Sequence, residues 1–289
     1  MSGFFSHSRL GCFEKCPRQF RYRYVDRIPA PTEGIEAFVG KRVHDVLERL
    51  YRFVGEGRVP GLAAVLRRFA SLWEEKIADA QVRIARQGTE LSDYQKLGEQ
   101  CLSNFYRANY PFDGEETVAI EERVTCSLDG SGAYRIQGFI DRLARSRDGQ
   151  LEIHDYKTGR RMPSQNQLDE DRQLALYEMA VRERYAETGE IRLVWHFLQR
   201  GRVRSSRRSA DQLAALRART IELIDRIRGE TEYPARPSPL CGWCEYNDIC
   251  PASPVRPAAA PRMDPAPPTP PPAAEPPAPL LPRGQLSLL

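Results

Sequence analysis

Residues 117–157 alternate between apolar and polar side chains, whereas the residues before them follow helical spacing. Alternation predicts strands, because successive side chains of a strand point to opposite faces. Two turn signals divide the stretch into three strands, Thr117–Leu128, Ala133–Ala144 and Leu151–Lys157. We therefore expect an antiparallel meander that places Asp141 and Asp155 on neighbouring strands, towards a common edge.

The third strand ends in Asp155-Tyr156-Lys157, followed by the strand-ending pair Thr158-Gly159. Asp155 and Lys157 project from one face and Tyr156 from the other. Two carboxylates can hold a divalent cation through oxygen, and a lysine beside them can orient water or stabilise charge on a phosphate. The same spacing is also typical of a surface salt bridge, which contributes little to stability. The rest of the chain has to decide between these interpretations.

Helical spacing predicts helices over residues 35–54, 60–86, 91–109, 168–185 and 210–228. A further strand is expected at Ile191–Leu198, with a hairpin partner at Arg202–Arg204. This order predicts an α/β fold with a mixed central sheet flanked by helices and an N-terminal helical region. On the helices, Gln173 and Tyr177 share a face, and His44 lies beside an apolar stripe, as structural histidines often do.

Arginines are concentrated in a few segments, although the formal net charge is only +4. Arg160 and Arg161 follow the Asp155–Lys157 strand directly, and a second group contains Arg200, Arg202, Arg204, Arg207 and Arg208. Together they favour a basic track for phosphates, with a solvated loop as the alternative. The segment Cys16–Tyr24 interleaves arginines with aromatic residues, which fits either an amphipathic helix or a nucleic-acid surface.

Three of the seven cysteines, Cys241, Cys244 and Cys250, form a C-x2-C-x5-C pattern. In a cytoplasmic protein such spacing indicates a metal site rather than disulfides. The fourth donor is expected to be Cys16, with Cys12 as the alternative, and Cys101 and Cys126 fall on apolar faces. Four thiolates suit a structural zinc or a [4Fe–4S] cluster, and a compact triplet with one remote cysteine favours the cluster. Either centre would tie the N-terminal helix to the C-terminal segment.

In this order the motifs resemble the RecB-type branch of the PD-(D/E)XK nuclease superfamily, and more closely its iron–sulfur members, the AddB nuclease domain and the CRISPR-associated RecB-like exonucleases. The matching pieces are Ser8-Arg9-Leu10, Cys16-Pro17 with Phe20, Gly40 and His44, Gly138 with Asp141-Arg142, Asp155-Tyr156-Lys157-Thr158-Gly159, Gln173 with Tyr177, and the cysteine triplet. They span nearly all of residues 6–250. The resemblance implies a restriction-endonuclease-like core.

The resemblance also implies a role for each matched residue. His44, Asp141, Asp155 and the Tyr156 carbonyl would ligate a catalytic Mg2+ or Mn2+, and Lys157 would position water or stabilise charge. Gln173 and Tyr177 would contact DNA or support the site, and Cys16, Cys241, Cys244 and Cys250 would hold the [4Fe–4S] cluster. Ile140 stands before Asp141 where other branches have proline. No G-x-x-x-x-G-K-[ST] motif is present, so any helicase would be a separate chain.

The C-terminal region has a different composition, because residues 251–289 hold 14 of the 23 prolines. We expect a nuclease domain over 1–250, a disordered Pro/Ala-rich linker over 251–282 and a terminal peptide over 283–289. Gln285–Leu289 resembles the binding motif of the bacterial sliding clamp, with Leu289 in place of the final aromatic residue. The sequence predicts neither a secretory signal nor a membrane span, which favours the cytoplasm.

These features predict a metal-dependent deoxyribonuclease, an exonuclease on single-stranded DNA or DNA ends that acts in repair or recombination. One alternative is a non-catalytic DNA-binding or recruitment module that keeps the fold. Such a module would tend to lose His44, Asp141, Asp155 or Lys157, and all four are present. A second alternative is a structural zinc protein unrelated to nucleases.

Overall fold

The structure is a computed structural model that describes residues 3–187 and 189–254. Its strands are β1 (Phe4–Phe5), β2 (Glu33–Gly34), β3 (Val82–Arg83), β4 (Glu115–Ser127), β5 (Arg135–Ser146), β6 (Leu151–Lys157), β7 (Ile191–Phe197) and β8 (Arg202–Ser206). Its α-helices are α1 (His7–Lys15), α2 (Pro17–Phe20), α3 (Ile35–Gly55), α4 (Leu62–Ile77), α5 (Leu91–Asn109), α6 (Gln165–Asp169), α7 (Arg172–Tyr185) and α8 (Ala210–Gly229). A π-helical turn (Arg21–Val25) and two 3-10 turns (Leu198–Arg200 and Pro239–Trp243) complete them.

The central sheet is mixed, as predicted. Its order is β1-β5-β6-β7-β8, with β4 along the other edge of β5. The meander β4-β5-β6 is antiparallel, whereas β6 and β7 are parallel and are connected through α6 and α7. On one edge of β5, β1 pairs with Arg135 and Ile136, and β6 pairs with the residues from Arg142 to Arg145. Between these two strands, residues 137–141 have no strand partner on that edge of β5.

The two faces of the sheet are covered by different helices. One core contains apolar residues of α1, α2, α7 and α8 packed on Ile153 and Leu143. A second core joins α3, α4 and α5 to Tyr156 on the other face. The alternation of β6 explains this division, because neighbouring residues of a strand face opposite sides. The end of β6 thus lies between two helical layers, which position the side chains described below.

Two predicted helices have different bounds in the structure. The helix expected over 60–86 ends at Ile77, and a short strand, β3, follows. The single helix expected over 168–185 is wrong, because the chain breaks at Glu170 between α6 and α7. Ser164 caps α6 and Asp171 caps α7, each accepting a hydrogen bond from a backbone N–H. The predicted burial of Cys101 and Cys126 is confirmed.

None of the helices within residues 3–187 and 189–254 combines the length and apolar character needed to cross a bilayer. All but residues 251–254 of the linker predicted over 251–282, and the whole of Gln285–Leu289, lie outside the described residues. These predictions are therefore not tested.

Candidate active site

Asp141 lies where β5 and β6 separate. The two strands pair from Arg145 and Leu151 as far as Arg142 and His154, and no pair follows. Beyond that point, Asp141 Oδ2 accepts a hydrogen bond from the backbone N–H of Tyr156 at 2.7 Å. The carboxylate occupies the place of a strand carbonyl, so its position is fixed by the sheet itself. The predicted neighbourhood of Asp141 and the third strand is confirmed.

Asp155, Lys157 and Gln173 form a triangle on one side of β6. Lys157 Nζ lies 2.9 Å from Asp155 Oδ1, and Gln173 Nε2 donates to the same oxygen at 2.9 Å. Gln173 Oε1 in turn accepts from Lys157 Nζ at 2.9 Å. Burial raises the pKa of Asp155 despite Lys157, whereas for Lys157 the nearby Asp155 carboxylate outweighs burial and raises the pKa. Lys157 is therefore held as an ammonium ion beside the carboxylate.

His44 reaches the same place from α3. Its Nε2 lies 2.8 Å from the carbonyl oxygen of Tyr156, and its Nδ1 lies 3.3 Å from Asp141 Oδ1. Burial lowers the pKa of His44, but the Asp141 carboxylate and the Tyr156 carbonyl outweigh it and raise the pKa to about 9. At neutral pH both ring nitrogens can therefore donate. His44 is thus hydrogen-bonded, as a structural histidine would be, and its ring also lies against Asp141 and the end of β6, as the ligand prediction requires.

The ring of Tyr177 packs against Gly138 on β5. A Cβ placed on Gly138 would lie 2.0 Å from Tyr177 Cε1, which is an impossible contact. Gln173 Nε2 lies 3.5 Å from the Tyr177 hydroxyl, so the pair predicted on one helix face acts as one unit. The glycine at position 138 thus allows α7 to approach β5 closely enough for Gln173 to reach Asp155.

Comparison with known proteins identifies this arrangement. A family model described as the PD-(D/E)XK nuclease superfamily matches residues 4–251. The chain belongs to the PD-(D/E)XK nuclease superfamily. Among 23 matching chains of solved structures, a "Putative exonuclease" from Eubacterium rectale is 16% identical, with a TM-score of 0.50 over 86% of this chain and 89% of that chain. That likeness supports the fold alone.

A second solved structure, SSO0001, aligns with a TM-score of 0.37 and 14% identity over 86% of each chain. Similarity at that level supports no conclusion about the fold or function of this chain. No curated protein matches the sequence.

Glu121 belongs to this nuclease site, although the sequence did not single it out. β4 pairs Ile120 with Arg142 and Glu122 with Ile140, which leaves Glu121 opposite Asp141 with a positive φ of 48°. Its Oε1 lies 3.9 Å from His44 Nδ1. Burial, followed by the Asp141 carboxylate, raises the pKa of Glu121 to about 7. The signal was present in the sequence, because the alternation of β4 shifts just after Ile120.

The arginines after the catalytic strand divide into two groups. Arg160 and Arg161 are exposed and make no ion pair within the described residues. Arg207 pairs with Glu190, and Arg208 donates to the backbone carbonyls of Leu168 and Asp171. Arg207 and Arg208 thus have partners within the domain, and the predicted basic track stays a prediction.

On the opposite side of β6 lies a second group of charged residues, here called the ionic cluster. It consists of Glu115, Arg142, Glu152, His154, Arg192 and His196. Arg142, only 1% exposed, pairs with Glu115, and Arg192 pairs with Glu152. His154 Nδ1 lies 2.9 Å from His196 Nε2. Burial lowers the pKa of both histidines well below the ordinary value, so both are neutral.

The cysteines predicted to act together do line one cavity of about 30 Å3, which contains Cys16, Cys241, Cys244 and Cys250. The backbone N–H of Arg236 donates to Cys16 Sγ at 3.5 Å, and that of Ser238 donates to Cys241 Sγ at 3.3 Å. Cys12 is buried elsewhere, and burial raises its pKa to about 12.

The two ends of the domain also meet around this cavity. Gln19 donates to Glu245 at 2.8 Å, Arg23 pairs with the same carboxylate, and the Tyr246 hydroxyl donates to the carbonyl of Ile28 at 2.9 Å. The N-terminal helical region and the C-terminal segment are therefore joined within the described residues even without a metal centre.

Proposed function

We propose that this nuclease is a metal-dependent deoxyribonuclease that hydrolyses phosphodiester bonds in single-stranded DNA or at DNA ends, as an exonuclease of repair or recombination. One observation carries the proposal. Asp155 and Lys157 lie 2.9 Å apart at the end of β6, beside the Asp141 carboxylate and the His44 ring. This is the set of charges that phosphoryl transfer to water requires.

The residues at this edge fit a divalent cation. Asp155 Oδ2 is buried and accepts no hydrogen bond within the described residues, although Lys157 Nζ lies 2.8 Å away. His44, Asp141, Asp155 and the Tyr156 carbonyl would be the ligands, with His44 binding through a ring nitrogen that gives up its proton, a mainly oxygen set that suits Mg2+ or Mn2+. When bound, such an ion supplies positive charge for the phosphate and lowers the pKa of a coordinated water.

The chain's own groups have separable roles. Lys157, held as a cation by Asp155 and Gln173, stabilises negative charge that develops on the phosphate. His44 and the Tyr156 amide fix the two oxygens of Asp141 from opposite sides. Gln173 locks the rotamers of Asp155 and Lys157, and Tyr177 supports Gln173. Arg160 and Arg161, exposed and without ion pairs among the described residues, are available for the DNA backbone.

The proposal is tested by comparing wild type with Asp155→Ala and Lys157→Ala on end-labelled linear and on circular single-stranded DNA, with Mg2+ or Mn2+. Each variant should lose at least about 100-fold in rate, since a charge is removed from the transition state. Lys76→Ala, at a surface ion pair with Glu75, is the matched control and should keep full activity. Equal cleavage by all variants would exclude this site. An exonuclease degrades the linear substrate only, so equal cleavage of the circle would exclude exonuclease action.

For the cysteines we propose a [4Fe–4S] cluster on Cys16, Cys241, Cys244 and Cys250. These four cysteines line one cavity, and a compact triplet with one remote cysteine favours a cluster over a structural zinc. Purified protein should be brown and contain iron rather than zinc. Cys16→Ser should lose the iron while Cys12→Ser keeps it, and the reverse result would move the fourth ligand to Cys12.

The partners remain predictions. We expect the nuclease in the cytoplasm, acting with a helicase on a separate chain and recruited to the sliding clamp through Gln285–Leu289, which lies outside the described residues. Tethering would raise the local concentration at replicated or repaired DNA. A peptide of the last ten residues should bind the clamp in a fluorescence-polarisation titration, and one with Gln285→Ala should bind weakly. Absence of binding at saturating clamp concentrations would remove this part of the proposal.

A further inference from the structure

A groove of about 520 Å3 opens beside the proposed catalytic edge. Among the residues that line it are Arg86, Lys96, Thr158, Gly159, Arg160 and Trp243, and it is called here the Trp243 groove. Thr158 and Gly159 follow Lys157 directly at the end of β6. The groove therefore begins one residue beyond the catalytic lysine and leads towards the cysteine segment.

The groove presents positive charge that the described chain does not neutralise. Arg86, Lys96 and Arg160 are exposed, and none of them makes an ion pair within residues 3–187 and 189–254. Two carboxylates also line the groove, namely Glu36, which accepts from the Tyr94 hydroxyl at 3.0 Å, and Asp93, which accepts from the backbone N–H of Glu90 at 2.9 Å, so the three cations leave one net positive charge. Unpaired cations along a channel next to a phosphodiesterase site favour a polyanionic ligand.

Trp243 gives the groove an aromatic surface at its far end. The indole is 47% exposed and has no ring partner among the described residues. Its backbone is nevertheless anchored, because Arg83 Nη1 donates to the carbonyl of Gly242 at 3.0 Å and Ser238 caps the 3-10 turn. A rigidly mounted, exposed indole in a basic groove has the properties of a platform on which a nucleobase stacks.

A polar acceptor completes the lining. The Oε1 atom of Gln199 is buried in the same groove and has no hydrogen-bond partner within the described residues. Such an acceptor can receive a hydrogen bond from a base amino group or from a bound water. The groove thus offers separate partners for phosphates and for a base.

We propose that the Trp243 groove binds the single strand of DNA next to the cleaved phosphate, with phosphates on Arg86, Lys96 and Arg160 and one base stacked on Trp243. This inference rests on the proposed nuclease function for its substrate class, but it concerns binding rather than cleavage. It predicts that the cysteine segment contributes directly to DNA binding through its tryptophan.

Tryptophan fluorescence can measure the contact between a base and Trp243 directly. Of its three tryptophans, Trp73 and Trp195 are buried, at 4% and 1% exposure, and only Trp243 is exposed. Titration of the full chain with oligodeoxythymidylate, without divalent metal, should therefore quench tryptophan fluorescence through Trp243. An otherwise identical abasic oligonucleotide should bind through its phosphates without this quenching. Equal quenching by both would overturn base stacking.

Variants separate the base contact from the charge contacts. Trp243→Ala should weaken binding about 5- to 150-fold, the range of one lost base stack, and Trp243→Phe should recover most of the affinity without the fluorescence change. Arg160→Ala should weaken binding and reduce its salt dependence. Ile249→Ala, an equally exposed apolar residue of the same segment that does not line the groove, is the matched control and should bind normally.

The outcomes distinguish this inference from the proposed function. Iron content and thermal unfolding of each variant show whether the cysteine segment is intact. If wild type cleaves DNA but Trp243→Ala binds and cleaves unchanged while remaining folded, the inference is wrong and the nuclease proposal stands. If the wild type binds DNA with the expected quenching of its tryptophan fluorescence but cleaves no DNA, the DNA-binding role of the groove is supported and the nuclease proposal is wrong.

Discussion

Two charged groups along β6 carry similar residues but different chemistry. His44, Glu121 and Asp141 lie near the C-terminal end of the strand, and Glu115, Glu152 and His154 belong to the ionic cluster farther along it; each group brings potential metal ligands within 4.8 Å. In the ionic cluster, Arg142 and Arg192 already neutralise the two glutamates, and both are paired with them directly. At the catalytic edge, no arginine pairs with Asp141 or Asp155 within the described residues.

The difference teaches that ligand type alone does not identify a metal site. Buried carboxylates need a cation, and a guanidinium from the same chain satisfies that need as a metal ion would. The pKa values of two histidines differ accordingly. Burial lowers the pKa of His44, but the Asp141 carboxylate raises it to about 9, whereas burial lowers the pKa of His154. We therefore interpret the catalytic edge as the metal site and the ionic cluster as structural.

The largest expected effect is on catalysis, from Asp141→Asn. The amide oxygen can still accept from the Tyr156 N–H, so the separation of β5 and β6 should persist. Loss of the charge should lower the cleavage rate at least about 100-fold, while the free energy of unfolding changes by less than about 1 kcal/mol. Initial rates on end-labelled DNA and urea unfolding measure both. Asp148→Asn, in the exposed β5–β6 turn, is the control, and a similar rate loss there would contradict the assignment.

The ionic cluster should instead respond in stability. Arg192→Met leaves Glu152, which is only 1% exposed, without its cation and should cost about 3–5 kcal/mol of unfolding free energy. Arg142→Met should cost less, because the freed carboxylate of Glu115 is 27% exposed and water can solvate it. Urea denaturation at neutral pH compares the two. If Arg192→Met were neutral in stability but abolished metal binding, the roles of the two charged groups would have to be exchanged.

Acid should lower the free energy of unfolding mainly by protonating the two histidines of the ionic cluster. The folded-state pKa values of His154 and His196 are depressed, so the unfolded chain binds protons first as the pH falls below about 6.5. Their contribution is present above that pH and is lost below it, by up to about 1.4 kcal/mol per pH unit for each histidine. Urea midpoints of metal-free protein between neutral and mildly acidic pH should show this slope, and His196→Asn should reduce it. An unchanged slope would mean that carboxylates alone cause the acid sensitivity.

The smallest effect is expected at Glu121. Glu121→Gln keeps the shape of the side chain but removes one negative charge beside His44 and Asp141, so Mn2+ affinity should fall by about tenfold. Isothermal titration with Mn2+ measures this. Glu122→Gln is the control, because Glu122 pairs with Arg184 and accepts from the Tyr185 hydroxyl, away from the site. A larger effect of Glu122→Gln would place the metal elsewhere.

The sequence predicted what depends on local periodicity. The meander, the shared face of Asp155 and Lys157, and the Gln173–Tyr177 pair follow from strand and helix spacing, and the structure has them. Glu121 was missed although the alternation of β4 shifts just after Ile120, because that shift does not show that Glu121 adopts a positive φ opposite Asp141. The ionic cluster was missed because its members come from four strands and pair only after the sheet forms. The break between α6 and α7 could have been found from the capping residues Ser164 and Asp171.

The joining of the two chain ends has a consequence for biosynthesis. Gln19 and Glu245 are 226 residues apart, so the N-terminal helical region lacks its partners until nearly the whole domain has been translated. At about 5–20 residues per second, that interval is roughly 10–45 s. During this time Cys16 is a solvent-accessible thiol waiting for the three cysteines at the other end. A metal centre held by all four cysteines could form only after Cys250 has been synthesised.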